Sequence, residues 1–495
     1  MQKQNVVVIG AGIGGIATAA RLAQAGYQVT VVEKNARVGG RCGYIEKDGH
    51  RFDTGPTLYL IPELYEQAFA DLGERIEDHL DLRRIDPTYH IHFEDGLKFA
   101  PTSDLLAMQR QLESIEPGSF AGYLRYLSEG YAHHRLSLKH LVKRNFTSWG
   151  SFLNPRNILL FLKLKSLNRH HNYVGRYFKD PRLKLAFGFQ NLYMGLSPYK
   201  APAIYSLLQY TEFAEGVWFP MGGMYAIIQA LKRIADKSGV RFMLNTTVER
   251  IDVNCNRSEG VTLAGGEHLP ADIVVANADL PYVYRHLLPD HDLGERLEKR
   301  EHGCSAMLFY WGVDKQYPQL GPHNLFIAED LREGFEAMFD PGSVPENPHF
   351  YLHAPTRVDP SLAPQGHESL TVAVPLAHLC EDAPLDWEEV AEQMRQVVLR
   401  RLSSIGIDDL EEHIKFEELW TPKDWKTQLN LTKGSTHGLS HDLFQMGYFR
   451  PRNRHEEYDN VYFVGASTHP GTGMSTVLVS ADLVVDRISR DFAVD

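Results

Sequence analysis

Three glycines and one acid near the start of the chain have the spacing of a dinucleotide-binding site. Gly10, Gly12 and Gly15 form a GxGxxG pattern, and Glu33 follows 18 positions after the third glycine. Glycines at these positions permit a tight turn, a close approach of backbone N–H groups to a pyrophosphate, and close packing of a helix on a strand. A carboxylate such as Glu33 can accept both hydroxyls of an adenosine ribose, which favours FAD or NAD(H) over NADP(H).

The same stretch of sequence also predicts the strands and the helix that must position these residues. Residues 6–9 form a short apolar β-branched run, apolar residues then recur at helical intervals as far as Gly26, and residues 29–32 form a second apolar run. This pattern predicts a βαβ unit. The first half alone also resembles the apolar core of a secretion signal, but a cleaved signal would not need the second strand and its terminal acid.

Length, charge and cysteine usage narrow the class of protein. A chain of 495 residues is too long for one core and predicts two or three domains. The net charge of −12 gives no indication of a nucleic-acid partner. Four cysteines without CxxC spacing fit a reducing compartment. Adjacent pairs such as His133–His134 and His170–His171 lack metal-ligand spacing, so we expect surface histidines and no metal site.

A strongly basic segment interrupts this acidic chain. Between Glu129 and Asp180 there is no acidic residue, whereas ten residues are basic and alternate with Leu, Ile, Phe and Trp149. No run of about 18 apolar residues occurs, so a transmembrane helix is not expected. Two interpretations of residues 131–179 stay open. The segment could lie on an anionic bilayer surface, or it could be a basic helical hairpin packed on the acidic body.

Three further blocks resemble the amine-oxidase and carotenoid-desaturase superfamily. Gly39, Gly40 and Arg41 resemble its second flavin motif, in which the loop contacts the FAD pyrophosphate and ribityl chain and the arginine clamps a phosphate. The turn at 52–56 resembles the one that brings backbone against the isoalloxazine ring, and it supplies Thr54, Gly55 and Pro56 as candidates. The resemblance also implies that the backbone of Val248 contacts the adenine.

The C-terminal block resembles the last flavin segment of this superfamily. It reads as a strand at 461–464, a loop of small residues and an amphipathic helix to about residue 488. In the superfamily the loop and the helix N-terminus lie under the flavin, where a helix dipole and N–H groups stabilise the reduced, anionic ring. The candidates for these contacts are Gly465, Thr472, Gly473 and Met474.

The order of the motifs is similar to that of the bacterial-type carotenoid desaturases over essentially the whole chain. The most specific blocks are residues 205–224, which contain GVWFPMGGM, and residues 465–473, which contain HPGTG. The resemblance implies an FAD-dependent enzyme that is cytoplasmic and peripheral on the cytoplasmic membrane. It implies desaturation of phytoene or a related C30 or C40 polyene held in an apolar tunnel, with quinone or oxygen as electron acceptor.

The expected fold class is α/β, with a Rossmann-type FAD-binding domain built from discontinuous segments, an inserted α+β substrate domain and a helical membrane-associating region. The predicted FAD-binding segments are 1–100, 215–300 and 431–495. The helical region is predicted at 101–214 and the substrate-binding domain at 301–430. Within segment 215–300 the pattern predicts a loop with Gly222 and Gly223, a helix at about 225–237 and a following strand.

No catalytic acid or base is assigned from the sequence. Desaturation removes a hydride and a proton, and a polyene stabilises the developing allylic cation itself, so little acid–base chemistry is demanded of the protein. Glu212, Glu215 and His469 lie in the most specific blocks and are candidates, although a structural role is the simpler interpretation for each.

One departure from the family leaves the reaction subtype open. After HPGTG the family often has a small or apolar residue and then proline, a good first-turn residue, whereas this chain has Met474 and Ser475. The alternatives on the same fold are a carotenoid oxygenase or ketolase, or a saturase. A soluble amine oxidase and a non-catalytic escort-type protein that binds prenylated partners are further alternatives.

Overall fold

A five-stranded parallel sheet, here called the nucleotide sheet, forms one layer of the molecule. The computed structural model describes residues 3–146, 148–289, 291–329 and 331–492. All neighbouring strands in this sheet are parallel, and their spatial order is Val461–Phe463, Ile273–Ala276, Asn5–Ile9, Gln28–Val32 and Arg241–Met243. The strands are apolar because both faces are covered. Segments from the beginning, the middle and the end of the chain therefore share one sheet.

Three long helices cover the nucleotide sheet. Helix Ile13–Gln24 contacts both Tyr225–Lys237 and Met474–Asp491, and the apolar faces of all three helices join the buried core around the sheet. The first βαβ unit therefore folds as its sequence pattern predicts. The predicted helix at about 225–237 has the same bounds in the structure, because its apolar stripe repeats at helical intervals.

A seven-stranded mixed sheet, here called the substrate sheet, forms the second layer. Its strands in spatial order are Ile414–Trp420, Ser305–Val313, Glu368–Leu376, Phe350–His353, His323–Ile327, His90–Phe93 and Lys98–Phe99. Helix Trp387–Ser403 packs its apolar face against this sheet. Strand His90–Phe93 pairs in parallel with His323–Ile327. The second layer thus includes residues that fall within the predicted segment 1–100, and the domain boundaries stay predictions.

Three smaller sheets connect these layers. One contains Val248–Asn254, Arg257–Leu263 and His268–Pro270, and another is the hairpin of Tyr44–Lys47 with His50–Asp53. The third pairs Leu82–Ile85 with Val217–Pro220. Val217–Pro220 lies in a stretch that was predicted to be a loop. It forms a strand because Val217 and Phe219 alternate into a buried cluster while a distant strand supplies the hydrogen-bonding partner.

Helices of very different length make up most of the region between residues 101 and 214. They are Leu105–Ile115, Ser119–Ser137, Trp149–Phe152, Pro155–Lys163, His170–Val174, Pro181–Ala186 and Ser206–Tyr210. The other α-helices in the described ranges are Pro62–Ala70, Leu280–Tyr282, His291–Glu298, Leu331–Ala337, Leu410–His413 and Pro422–Leu429. Within the described ranges, none of the helices combines the length and apolar character that crossing a bilayer requires.

The expectation of surface histidines is wrong for His133, His134 and His170, which are buried. The Nδ1 atom of His133 is 2.6 Å from the Ser206 hydroxyl, and Nε2 of His170 is 2.8 Å from the Tyr126 hydroxyl. Burial lowers the pKa of His133 to about 4 and that of His170 to about 3. These rings are therefore neutral hydrogen-bonding groups of the helical core.

Candidate active site

One cavity of about 540 Å³ begins at the nucleotide sheet and continues between the helical region and the substrate sheet. Ile9, Glu33, Asn277 and Val464, which stand at or just beyond the carboxyl ends of four parallel strands, line its first part. Ligands of parallel α/β sheets bind at this edge. The rest of the wall is mostly apolar and includes Leu58, Ile61, Phe189, Leu192, Met194, Leu208, Leu308, Leu325 and Phe350.

The glycine-rich turn lies at the nucleotide end of this cavity. Gly10 has a φ of +93° and its N–H donates to the Val32 carbonyl at 2.8 Å, so the turn is tied to the second strand. Gly12 is the N-cap of helix Ile13–Gln24, and no side chain caps that helix. Gly15 stands behind the cavity wall, where a Cβ atom would lie 2.1 Å from the Gly10 carbonyl oxygen. Gly15 thus serves helix–strand packing.

Glu33 is fixed at the end of the second strand by two backbone donors. Its Oε2 accepts from the Ala11 N–H at 2.7 Å and its Oε1 accepts from the Asn35 N–H at 2.9 Å. Each carboxylate oxygen can accept a further hydrogen bond, and the side chain lines the cavity. Val248 lines the same end. The arrangement suits a ribose with two free hydroxyls beside an adenine.

Gly39, Gly40 and Arg41 line the nucleotide end beside the glycine-rich turn. The Gly39 N–H donates to the Ala11 carbonyl at 2.8 Å, which holds this loop against the glycine-rich turn. Arg41 lines the cavity and its Nη1 donates to the Thr436 carbonyl at 2.9 Å. Burial lowers the pKa of Arg41 and the nearby Asp279 carboxylate counters that shift, so a cation faces the site.

The turn at 52–56 contributes Gly55 and Pro56 to the cavity wall. Thr54 lies behind that wall, where its carbonyl accepts from the Tyr310 hydroxyl at 3.0 Å and its N–H donates to the Gly43 carbonyl at 3.0 Å. A Cβ atom at Gly55 would lie 2.2 Å from the Arg41 carbonyl oxygen, so only glycine fits there. The turn and the arginine loop therefore pack directly on each other.

The C-terminal loop reaches the same cavity. Gly465, Thr472, Gly473 and Met474 all line it, and Gly473, with a φ of +112°, is the N-cap of helix Met474–Asp491. The Thr472 N–H donates to Nε2 of the buried His441 at 2.9 Å, which sets the loop's direction. The four residues thus line the same cavity as Gly10 and Gly12, although more than 400 positions separate the two groups in the chain. Their contacts with the flavin stay a prediction.

Two residues to which the sequence analysis gave no role hold the segments together. Asp279 accepts from the Ser467 hydroxyl at 2.6 Å and from the Thr432 N–H at 2.9 Å, and Asn277 donates to the Gly10 carbonyl at 3.4 Å. Both line the cavity. Their position in the sequence could have identified them, since both follow closely on the buried run 273–276. Polar residues just beyond the carboxyl end of a parallel strand face the ligand of the sheet.

Of the three candidate acid–base residues, His469 lies away from the cavity. Its Nε2 donates to the Leu141 carbonyl at 2.9 Å, and burial lowers its pKa to about 4. Glu215 faces His134, with 3.5 Å between Oε1 and Nδ1, and burial together with Glu63 raises its pKa to about 7. The contacts of His469 and Glu215 are therefore those of structural residues, and neither side chain lines the cavity.

Glu212 is completely buried and is connected to the cavity. Its Oε2 accepts from the Tyr193 hydroxyl at 3.0 Å, its Oε1 accepts from the Gln190 amide at 3.2 Å, and Tyr193 lines the cavity. Burial raises the pKa of Glu212 to about 8, and both hydrogen bonds only partly oppose this.

The groups at the nucleotide end fit FAD. Glycine backbone and the N-terminus of a helix suit a pyrophosphate, Arg41 adds a cation, and Glu33 accepts ribose hydroxyls. Beyond Gly55 the cavity wall becomes apolar, which suits the isoalloxazine ring of FAD and an apolar substrate beside it.

Comparison with known proteins agrees with this geometry. Residues 13–489 match the family of flavin containing amine oxidoreductases. The chain is 45% identical to the zeta-carotene-forming phytoene desaturase of Myxococcus xanthus, and the match covers 98% of this chain and 94% of that protein. It is 34% identical to the 4,4'-diapophytoene desaturase (4,4'-diaponeurosporene-forming) of Staphylococcus haemolyticus, over 98% and 99% of the two chains. The fold is also that of a putrescine oxidase, with a TM-score of 0.62, 16% identity, and coverage of 99% and 100%.

The chain therefore belongs to the flavin containing amine oxidoreductases and, within them, to the carotenoid desaturase family. It is an FAD-dependent oxidoreductase whose substrate is an apolar polyene.

Proposed function

We propose that the protein desaturates phytoene, introducing carbon–carbon double bonds into this C40 polyene in carotenoid biosynthesis. The observation that carries the proposal is a single cavity that joins a dinucleotide end to a long apolar end. The higher identity to a phytoene desaturase, 45% against 34% for a diapophytoene desaturase, favours the C40 substrate over the C30 analogue.

In this proposal the cofactor is held by residues from all three segments. The glycine-rich turn and Arg41 bind the pyrophosphate, Glu33 binds the ribose, Val248 borders the adenine, and the C-terminal loop lies beside the ring. Thr54 and Gly15 act from behind the wall by holding Gly55 and the first helix in place. The full set is Gly10, Gly12, Gly15, Glu33, Gly39, Gly40, Arg41, Thr54, Gly55, Pro56, Val248, Gly465, Thr472, Gly473 and Met474.

The reaction requires little from the protein beyond positioning the polyene and excluding water from it. When bound, FAD supplies the acceptor for the hydride that the substrate loses. Side chains such as Phe189, Leu192, Leu325 and Phe350 hold the extended polyene and exclude water, so that the developing allylic cation is not trapped by solvent.

The substrate is proposed to enter from the surface of the cytoplasmic membrane. An apolar patch of six side chains, each at least 48% exposed, lies in the basic segment 131–179; its members are Trp149, Leu153, Ile158, Leu159, Leu162 and Leu167. Phe444, at 74% exposed, adjoins it through Phe449, which packs on Trp149. Apolar side chains among cations suit the boundary of an anionic bilayer.

The alternative of a hairpin packed on the acidic body describes only part of the basic segment. Lys165 pairs with Glu129, and Lys143 lies 4.0 Å from Glu63. These contacts fix the segment to the body, while the side chains of the apolar patch remain exposed. A docked enzyme would pass electrons from the reduced cofactor to a membrane quinone or to oxygen, and we include that step in the proposal.

Expression in a host that accumulates phytoene tests this function. The expected result is a yellow flavoprotein and a product that has lost two hydrogen atoms per step, seen in the pigment spectrum and by mass spectrometry. A product that gains oxygen would assign the chain to the oxygenases, and one that gains two hydrogen atoms would make it a saturase. Accumulation of unchanged phytoene beside a flavin-loaded protein, with turnover of the C30 analogue, would overturn the C40 assignment.

A further inference from the structure

A chain of hydroxyl groups leads from the apolar cavity to a buried carboxyl group that the proposed function does not use. Tyr89 and Tyr193 both line the cavity, and their hydroxyls are joined by a short hydrogen bond. Tyr193 donates to Glu212 at 3.0 Å. Because the single phenolic proton of Tyr193 goes to Glu212, Tyr89 is the donor in its contact with Tyr193. The three groups form a directed path that ends on a carboxylate.

The three residues come from remote parts of the chain. Tyr89 precedes strand His90–Phe93 of the substrate sheet, Tyr193 lies in the 3₁₀ helix Phe189–Met194, and Glu212 lies in the single π-helical turn Thr211–Glu215. The ring of Tyr89 packs edge-on against Phe189 with 5.3 Å between centroids, and Phe189 also packs on Tyr193. The path is thus held by packing on both sides as well as by its hydrogen bonds.

The surroundings of Glu212 contain no compensating charge. Among the residues that the structure describes, its hydrogen-bonding partners are the Tyr193 hydroxyl and the Gln190 amide. The Glu212 carboxylate also helps to raise the pKa values of Tyr89, Tyr123 and Tyr126, for which burial is the main cause. No lysine, arginine or histidine among the described residues forms an ion pair with Glu212. Ionising a buried carboxyl without a nearby cation is costly, which is why burial raises the pKa of Glu212 to about 8. A carboxyl of this kind at the end of a hydrogen-bonded path from the cavity is suited to take up a proton.

We propose that Glu212, acting through Tyr193 and Tyr89, accepts the proton that the polyene loses during desaturation. This inference rests on the proposed function and adds to it the destination of the proton. When bound, FAD would accept the hydride that the substrate loses from its first C–H bond. The second C–H bond breaks as its proton moves to the Tyr89 oxygen, and its electron pair becomes the new C=C bond.

The remaining transfers balance the step. The Tyr89 proton moves to Tyr193, the Tyr193 proton moves to the Glu212 carboxylate, and both tyrosines end the step neutral. After the product leaves, the Glu212 proton returns along the same hydroxyls to solvent entering the cavity. Burial, which raises the pKa of Glu212 to about 8, makes its carboxylate a stronger base than an exposed one. Tyr89 is then the catalytic residue, because it contacts substrate, and Glu212 acts through it.

Glu212→Gln is the first test, with the FAD-loaded protein and phytoene supplied in liposomes without oxygen. The amide keeps the shape of the side chain and cannot accept the proton, so we expect flavin reduction in a single turnover to slow by about 100-fold or more. FAD content and the phytoene concentration for half-maximal rate should stay unchanged. Glu212→Asp should recover part of the rate.

Glu215→Gln is the matched control. Glu215 belongs to the same helical turn and also has a raised pKa, but it faces His134 and does not line the cavity. Its variant should reduce flavin at the wild-type rate. Tyr193→Phe interrupts the path by removing the hydroxyl that donates to Glu212, while the Glu212 side chain itself is kept. This variant should be slowed like Glu212→Gln, so the inference can still be tested if one variant fails to fold.

Two further measurements separate a proton role from a structural one. The wild-type rate should rise with pH towards about 8 and this rise should be absent from Glu212→Gln. Without any substrate, the infrared difference between wild type and Glu212→Gln should contain a protonated carboxyl band that disappears over the same pH range. Flavin reduction by Glu212→Gln at the wild-type rate would overturn the inference and leave the proposed function intact, whereas failure of wild type to react with phytoene would overturn the function first.

Discussion

The Asp279 carboxylate accepts a hydrogen bond from the Ser467 hydroxyl at 2.6 Å across 188 positions of the chain. Its second oxygen accepts from the Thr432 N–H at 2.9 Å. One side chain at the carboxyl edge of the nucleotide sheet therefore joins the middle segment to two parts of the C-terminal segment. The loops that surround the dinucleotide end are positioned by this residue as well as by the sheet.

Replacing Asp279 with alanine should weaken the protein and its hold on FAD together. The change leaves a backbone N–H and a hydroxyl without their acceptor, at a cost of about 1–3 kcal/mol. We expect a lower melting temperature and faster FAD release, measured by thermal unfolding and by flavin fluorescence on dilution. Glu249→Ala, an exposed acid on strand Val248–Asn254, is the control and should change neither quantity.

Replacing Gly15 with alanine should destabilise the first βαβ unit. The new Cβ atom would lie 2.1 Å from the Gly10 carbonyl oxygen, so helix Ile13–Gln24 must move away from the strand. Overpacking of this kind costs about 1–3 kcal/mol or more and should displace the glycine-rich turn. Purified protein should contain less flavin and melt earlier. Gly150→Ala, whose Cβ atom would meet open space, should keep its yellow colour; equal behaviour of the two variants would contradict the packing role of Gly15.

Placing charges in the apolar patch should reduce binding to anionic liposomes. Leu159→Glu combined with Leu162→Glu removes two exposed apolar side chains and adds two negative charges beside the headgroups. Sedimentation with liposomes should fall by about tenfold or more, with FAD content unchanged. The same double change at Leu105 and Leu106, which are equally exposed on helix Leu105–Ile115, is the control. A similar loss in both variants would mean that the patch is not the docking surface.

The stability of the protein should depend on pH through Glu212. Burial raises its pKa from 4.5 to about 8, so the unfolded chain releases this proton at lower pH than the folded protein. The stabilising contribution is complete below about pH 4.5 and is lost as the pH rises towards about 8. Glu212→Gln cannot ionise, so its free energy of unfolding relative to wild type should increase over that range, by up to about 1.4 kcal/mol per pH unit, and its melting temperature relative to wild type should rise in parallel. Parallel melting curves at all pH values would contradict the burial of an ionisable group here.

The part of the site that lies within one local unit could be predicted from the sequence. Gly10, Gly12, Gly15 and Glu33 belong to a continuous βαβ unit, in which spacing along the chain determines position in space. The helix Tyr225–Lys237 was equally predictable because its apolar stripe is local. The C-terminal loop was found only through resemblance to a family, since nothing local indicates that residues 465–474 face residue 12.

The features that depend on pairing between remote segments could not be predicted. Strand His90–Phe93 joins the substrate sheet by pairing with His323–Ile327, in a register that matches His90 with Asn324, 234 positions away. Because the partner is so remote, no local sequence pattern indicates the pairing. The carboxylate of Asp53 accepts from the N–H groups of Met224 and Tyr225 at the start of a helix, across more than 170 positions. The path from Tyr89 to Glu212 likewise exists only after three elements have packed.

The discontinuous nucleotide sheet has a consequence for how the protein is made. Strand Val461–Phe463 lies at the edge of the sheet beside Ile273–Ala276, and helix Met474–Asp491 covers the first helix. While the ribosome is still synthesising the last part of the chain, Ile273–Ala276 has an unpaired edge and the first helix has an uncovered apolar face. A chain that stops ahead of residue 461 would therefore lack both the edge strand and the covering helix, and we expect its exposed apolar surfaces to promote aggregation.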